Sequence, residues 1–219
     1  MKIAIVVPAY NEEKNIKNVL DDLRKVKHLV YVVDDGSKDK TYETAKKYKV
    51  NLLKHKVNLG KGAALKTGCE AAFGDGAEAV IFMDSDGQHK VEDLPEFEKH
   101  LDSGIFDIVF GSRNLSMGVP LVRYIGNKFA SVYVSLLFGI YISDLICGYR
   151  GLTKKAYKKI NWESSGYGVE TEMVVKTAKY KLKHCEVPVE TVYLDGVKGV
   201  TILDSFGIFF EVLRWRLGL

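Results

Sequence analysis

Met83-Asp84-Ser85-Asp86-Gly87-Gln88-His89 follows directly on the apolar run Ala79-Val80-Ile81-Phe82. In an extended chain alternate side chains share a face, so Asp84, Asp86 and Gln88 leave the end of a buried strand pointing the same way. Three oxygen donors without His or Cys among them suit a hard divalent cation, Mg²⁺ or Mn²⁺. Such ions take one or two carboxylates and complete their shell with water and substrate phosphate. The same residues also make an ordinary acidic turn, since Asp, Ser and Gly are turn formers. The rest of the chain decides between the two.

Working outward, Ile3 to Val7 is a continuous apolar run of the kind buried on both faces of a parallel sheet. Pro8-Ala9-Tyr10-Asn11 ends it, and Asn11 is placed to cap a helix with Ile16, Val19, Leu20 and Leu23 on one face. Leu29 to Val33 is a second strand ending in Asp34-Asp35-Gly36-Ser37, with Asp39 placed to cap a helix through Tyr42, Ala45 and Tyr48. A short strand from Asn51 to Lys54 leads to Asn58-Leu59-Gly60-Lys61-Gly62 and a helix from Ala63 to Ala72. That loop lacks the spacing of a phosphate-binding P-loop, because Leu65 stands where glycine must precede Lys66-Thr67. It is a loop whose backbone can approach a ligand, with Lys61 beside it, or a plain glycine turn. A helix near Val91 to Leu101 and a strand from Phe106 to Phe110 follow, the latter ending in Gly111-Ser112-Arg113. Successive strands thus end in polar clusters, and in open α/β sheets ligands bind beyond the carboxyl ends of the strands.

The second half is more apolar. Leu121 to Ile142, with Arg123 and Lys128 near its start, suits a helix that is buried or lies in an interface. Asp144 to Arg150 reads as a turn into another strand, Gly168 to Tyr180 as a helix bearing Glu170 and Glu172, and His184 to Val192 as an edge strand containing Pro188. Leu203 to Leu219 is amphipathic, with Phe206, Phe209 and Phe210 among its apolar residues and Arg214 and Arg216 among its basic ones.

With 219 residues, 47% hydrophobic and 27% charged, the chain has the makings of a folded globular core. Its net charge of +4 is spread among acidic residues, which argues against nucleic acid as a partner. Cys69, Cys147 and Cys185 form no C-x-x-C pair, which argues against a disulfide framework or zinc site and points to a reducing compartment. The apolar N-terminal stretch is too short for a signal peptide, and no run reaches the ~20 apolar residues of a spanning helix.

Val7-Pro8-Ala9-Tyr10-Asn11-Glu12, Asp34-Asp35-Gly36-Ser37, Asn58-Leu59-Gly60-Lys61-Gly62, Asp84 to His89 and Gly111-Ser112-Arg113 occur in one order. Together they resemble the catalytic domain of family 2 glycosyltransferases, and within it the polyprenyl-phosphate glycosyltransferases, the group of dolichyl-phosphate mannose synthase. The likeness continues through Asp144 to Arg150 and Glu186-Val187-Pro188. It implies a GT-A fold: a single Rossmann-like α/β domain over residues 1–219, its mainly parallel central sheet flanked by helices. Residues 1–113 would bind nucleotide-sugar and metal, and residues 114–219 the acceptor, with the amphipathic segment at their end. By the same resemblance Pro8, Tyr10, Glu12 and Asp35 would hold base and ribose, with Lys61 and Asp84 also in the nucleotide-sugar site. Asp84, Asp86 and Gln88 would bind Mg²⁺ or Mn²⁺ on the diphosphate. Arg113, with Arg123, Lys128 and Arg150, would meet the acceptor phosphate, and Asp86 and Arg113 would be the catalytic pair.

The implied activity is metal-dependent, inverting transfer of a sugar from a GDP-mannose or UDP-glucose type donor to a polyprenyl or dolichyl phosphate. A glycan or protein hydroxyl is the alternative acceptor, and a non-catalytic nucleotide-sugar-binding subunit the alternative of another class. The complete Asp84, Asp86 and Gln88 set speaks against a binding-only protein. A hydroxyl acceptor needs a positioned base, whereas a phosphate monoester, with a second pKa of about 6, is already anionic. With a lipid phosphate, Glu170 and Glu172 are then helix-surface or structural acids. Many relatives of this kind carry spanning helices after the catalytic domain, whereas only an amphipathic segment stands here. The expectation is a cytoplasmic protein, peripheral on the cytoplasmic face of a membrane, with a homo-oligomer possible. Glu211-Val212-Leu213-Arg214-Trp215 resembles the Q-x-x-R-W motif of processive synthases, with Glu for Gln, and is read as a chance match.

Overall fold

The structure, a computed structural model, describes residues 1–113, 121–166, 168–190 and 202–217, with the side chains of 121–123 and 202–206 left out of the description. Strands β1 (Ile3–Ala9), β2 (Leu29–Asp34), β3 (Asn51–Lys54), β4 (Ala79–Phe82), β5 (Ile108–Arg113), β6 (Arg150–Thr153) and β7 (His184–Val189) form one sheet in the order β3-β2-β1-β4-β6-β5-β7. All neighbours are parallel except β6, which runs antiparallel to both β4 and β5. The helices are α1 (Ile16–Leu23), α2 (Thr41–Ala45), α3 (Lys61–Gly74), α4 (Leu94–Asp102), α5 (Leu121–Phe138), α6 (Lys154–Ile160), α7 (Val169–Lys179) and α8 (Ile202–Leu217). The expected α/β architecture with a mainly parallel sheet is what forms.

The central strands β1 and β4 are apolar and buried throughout because both faces of the sheet are covered there. Along β1, Ala4 and Val6 enter one core with Leu65, Cys69 and Phe82, while Ile3, Ile5 and Val7 enter the other with Leu20, Met83 and Phe97. Burying each of the larger side chains fully contributes roughly 1.5–3 kcal/mol. Pro188 sits in β7, whose single neighbour in the sheet is β5, the edge position expected of a strand proline.

Two local expectations change. α1 begins at Ile16, not beside Asn11. Asn11 has φ +53 and its Oδ1 accepts Lys38 N, while the amides of Asn11, Glu12 and Glu13 donate to Ser37 Oγ, Thr41 Oγ1 and Asp39 Oδ2. The loop after β2 thus supplies the acceptors that a helix start would otherwise require. Asp39 serves both purposes: Oδ2 accepts Glu13 N across the loops, and Oδ1 accepts the amide of Thr41, the first residue of α2, at 2.9 Å, with Lys40 standing between them. Helix α6 is unforeseen by the pattern reading; Thr153 Oγ1 caps it by accepting Ala156 N at 3.1 Å.

Candidate active site

β1, β2 and β4 all release the chain at one edge of the sheet, and antiparallel β6 enters there, since Phe82 pairs with Arg150. The polar strand ends and the segment 144–149 therefore meet at that edge. The Pro8 carbonyl accepts Ser85 Oγ at 2.7 Å, tying the end of β1 to the acidic motif. Pro8 is buried, so it bears on the site through that carbonyl, while the neighbouring Tyr10 is exposed.

Asp84 lies deepest. Its amide donates to His89 Nδ1 at 3.1 Å, and its Oδ1 receives the Lys61 ammonium at 2.7 Å. Burial works against its charge, but Lys61 outweighs burial and holds its pKa down to about 2. Asp86 stands differently: burial, then the charge of Asp84, push it up to about 6. Among the described residues its carboxylate accepts only the Gln88 amide, at 3.0 Å. Glu12, buried and bonded to Asn15 Nδ2 at 2.7 Å, adds to the negative field on Asp86.

Behind the motif, His89 is buried, stacked on Tyr149 at 4.7 Å, and pushed by burial down to about 4. Its Nδ1 accepts a hydrogen bond, which places the proton of the neutral ring on Nε2. A sequence search for oxygen ligands passes over His89, whose part is to fix the Asp84 backbone.

Lys61 also reaches Glu170 Oε1 at 2.8 Å, so one ammonium joins two carboxylates from opposite halves of the chain. Burial opposes the charge, yet Asp84 and Glu170 keep Lys61 protonated well above the usual range. Room for this comes from Gly148, where a Cβ would fall 2.5 Å from Asp84 Oδ2 and 2.8 Å from Lys61 Nζ. The glycines around Lys61 serve a different purpose from ligand approach. Gly60 has φ +95, Gly62 N donates to the Ser165 carbonyl at 2.6 Å, and Trp162 Nε1 donates to the Gly62 carbonyl at 2.9 Å. A Cβ on Gly62 would meet the Ser164 carbonyl oxygen at 2.0 Å. The glycine loop receives another stretch of the same chain.

Asp35 is mostly committed to that loop. Oδ1 accepts Leu59 N and His55 Nδ1, and Oδ2 accepts Gly60 N. A carboxylate offers about four acceptor positions, so little capacity is left for a ribose or base. His55 passes the chain on to Thr67 Oγ1 at 2.9 Å.

On the far side Arg113 meets Asp144 through Nε and Nη2, Asn127 Nδ2 bonds the same Asp144 at 3.0 Å, and Lys128 Nζ donates to the Ser143 carbonyl at 3.1 Å. Arg113 and Lys128 are thus brought to one locus. Arg123 belongs to α5, but its side chain lies outside the described residues.

Arg150 corrects the sequence reading. It is buried, its guanidinium donates to the carbonyls of Cys147, Leu145 and Glu170, and it lies over the Phe110 ring. It staples 145–147 to α7, and its guanidinium is spent on these carbonyls and closed off from solvent, not presented to a ligand at the surface. Glu172 is buried too, not on the helix surface: it accepts the amides of Glu163 and Ser164 and pairs with Lys176. That is a structural acid's role.

The oxygen donors of the segment from Asp84 to Gln88 are of the kind a hard divalent cation takes. Asp84 and Asp86 follow the end of one strand with Gln88 close behind, and among the described residues Asp86 has no cationic partner within ion-pair distance. Among the described residues no three His, Cys, Asp or Glu side chains group as a complete cage. Mg²⁺-type sites that share substrate phosphates need no such cage.

Residues 4–161 match the family described as Glycosyl transferase family 2. A UDP-N-acetylglucosamine–dolichyl-phosphate N-acetylglucosaminyltransferase of Methanococcus voltae is 32% identical over 242 residues, covering 99% of this chain and 96% of that protein. An undecaprenyl-phosphate mannosyltransferase of Micrococcus luteus is 28% identical over 245 residues, covering 100% of both. Among solved structures, glucosyl-3-phosphoglycerate synthase from Mycobacterium tuberculosis, in complex with Mn²⁺, uridine-diphosphate and phosphoglyceric acid, gives a TM-score of 0.79 at 20% identity. That alignment covers 100% of this chain and 79% of that one, a likeness of fold.

Proposed function

The chain belongs to glycosyl transferase family 2, and from that premise we propose that this GT-A enzyme moves a sugar from a nucleoside-diphosphate sugar to a polyprenyl phosphate, with a divalent cation at Asp84, Asp86 and Gln88. The observation that carries the reading is the acceptor shared by relatives aligned along almost the whole chain. One acts by name on dolichyl phosphate and the other on undecaprenyl phosphate, while their sugars differ.

The chemistry of the site supports it. Neither Glu170, bonded to Lys61, nor Glu172, bonded to two amides and Lys176, is available as a base for a hydroxyl acceptor. An anionic lipid phosphate needs cationic positioning instead, for which Arg113 and Lys128 are at hand. Tyr10 offers an exposed ring to the base, and Lys61 a positive charge to the diphosphate. The bound cation supplies Lewis-acid neutralisation of charge developing on the leaving diphosphate.

Such an acceptor keeps its tail in a bilayer, so the protein would work at a membrane surface. Among the described residues no helix is long and apolar enough to cross one.

The test is a screen of GDP- and UDP-sugars with Mg²⁺, Mn²⁺ or chelator, offering a short-chain polyprenyl phosphate and a free glycan in competition. Cation-dependent labelling of the lipid phosphate alone is expected. Labelling of the glycan in its place would reject the acceptor class, and full activity in chelator would reject the metal.

A further inference from the structure

The Lys61 ammonium stands 2.7 Å from Asp84 Oδ1 and 2.8 Å from Glu170 Oε1. Its backbone is fixed at the start of α3, and the backbone of Glu170 is fixed through its carbonyl by buried Arg150. Between these fixed points lies a flexible four-carbon stem carrying a point charge. Gly148 leaves open the space beside Nζ and the Asp84 carboxylate. Two carboxylates, Asp84 and Glu170, hold this ammonium, so Asp84 can give it up without its being left alone.

We propose that Lys61 is a resident counter-charge on Asp84 that a divalent cation displaces, and that Glu170 is the positioning residue that retains the displaced ammonium. The inference rests on the reading of Asp84 and Asp86 as cation ligands. Without Glu170, Asp84 is the one carboxylate left in contact with Lys61 among the described residues, and a cation must strip the ammonium away with no second carboxylate there to receive it. Without Lys61, Asp84 and Asp86 repel each other unscreened and attract a cation more strongly. A purely structural ion triad, tying α3 to α7, makes neither distinction.

The experiment titrates Mn²⁺ into the full chain by electron paramagnetic resonance, alone and with UDP or GDP, and records thermal melts beside it. Glu170→Gln is expected to weaken binding of Mn²⁺ alone about tenfold, and Lys61→Met to tighten it about tenfold, while weakening Mn²⁺-nucleotide binding. Lys61→Met leaves Glu170 buried without a partner, so the double variant Lys61→Met/Glu170→Gln provides the same readout without that charge. It should also bind Mn²⁺ alone more tightly than the parent. Lower melts with parental Mn²⁺ affinity in both single variants would overturn the proposal, as would weaker Mn²⁺ binding in the double variant. A parent protein that binds no Mn²⁺ even with nucleotide would overturn the metal reading itself, a separate result.

Discussion

Asp144 grips the Arg113 guanidinium at two points, Oδ2 accepting Nε at 2.6 Å and Oδ1 accepting Nη2 at 2.9 Å, and the Arg113 amide donates to the same carboxylate. With 1% of the Asp144 side chain exposed, the pair fixes the plane of the guanidinium at the rim of the site. Arg113→Ala should therefore do two things. It should raise the acceptor KM well above any change in donor KM, and it should cost about 2–4 kcal/mol of stability by leaving Asp144 buried with less compensation. Arg113→Lys should restore part of the stability but little of the acceptor affinity, since an ammonium cannot make the forked contact. Two-substrate kinetics and denaturant titration read both effects. Equal rises in the two KM values would move Arg113 to the donor side.

Asp86→Asn should abolish transfer and leave the fold intact. The amide lacks the charge that a cation requires, and among the described residues Asp86 has no hydrogen-bond partner beyond the Gln88 amide to lose. Removing a carboxylate from beside Asp84 should if anything raise the melting temperature. Activity within about tenfold of the parent, a barrier change of only ~1.4 kcal/mol, would sink the metal assignment.

Glu172 makes a stability prediction with a definite pH sign. Burial disfavours its charge, but Lys176 and the amides of Ser164 and Glu163 more than offset this, so its folded pKa lies below the ordinary 4.5. A depressed acid contributes stability that is present above the unfolded pKa and lost as pH falls through the folded one. Glu172→Gln should thus be less stable than the parent by about 1–3 kcal/mol at neutral pH. The gap should close as pH drops below about 4.5. A gap that stays constant down to pH ~3 would mean that packing, not charge, is what the substitution removes.

How far the sequence could be read depends on the range of the interaction. The strands and the shared carboxyl edge follow from period and order, because burial on both faces leaves an unbroken apolar run such as Ile3 to Val7. That Asp84 and Asp86 lie close together was legible from their nearness in sequence, although the strand ends at Phe82 and a turn, not strand alternation, sets them there. Glu170 was not, since its partnership with Lys61 spans the two halves of the chain and no local pattern encodes it. Arg150 misled for the same reason: an arginine ahead of a strand looks solvated until three carbonyls from 145, 147 and 170 close around it. Asn11, a good cap by composition, was outbid by hydrogen bonds from a loop some 27 residues away. The expected acceptor contact at Arg123 falls on a side chain outside the described residues, as does Phe206.

The last prediction concerns the membrane. α5 was expected either to be buried or to lie in an interface; one of its faces is buried and another is exposed. Asn127, Ser131 and Val134 are buried, while Ile125, Phe129, Val132 and Leu136 are 56, 63, 49 and 81% exposed. Those four recur at i, i+4, i+7 and i+11, which is one continuous face of a helix. α8 lies alongside, with Phe209 stacked on Tyr133 at 4.5 Å and Phe210 exposed beside it. Arg214 and Arg216 stand exposed in its last turn. An apolar stripe next to basic residues suits an anionic leaflet, where each basic residue contributes about 1 kcal/mol and screening acts over ~8 Å at physiological salt. Binding should be reversible: flotation with anionic liposomes at low salt, and partial release at high salt. Phe129→Ser/Leu136→Ser/Phe210→Ser should lose flotation with only a small drop in melt, because these side chains are largely in solvent, with Phe129 and Phe210 giving up their ring contacts to Tyr133 and Phe209. Phe209→Ser, by contrast, should lower the melt more, because its ring is packed on Tyr133. If the triple variant instead changes the sedimentation of the parent from dimer to monomer, the stripe is a contact between copies. If the parent fails to float at low salt with acceptor lipid present, docking to the bilayer is wrong, and an acceptor in solution becomes the reading to test.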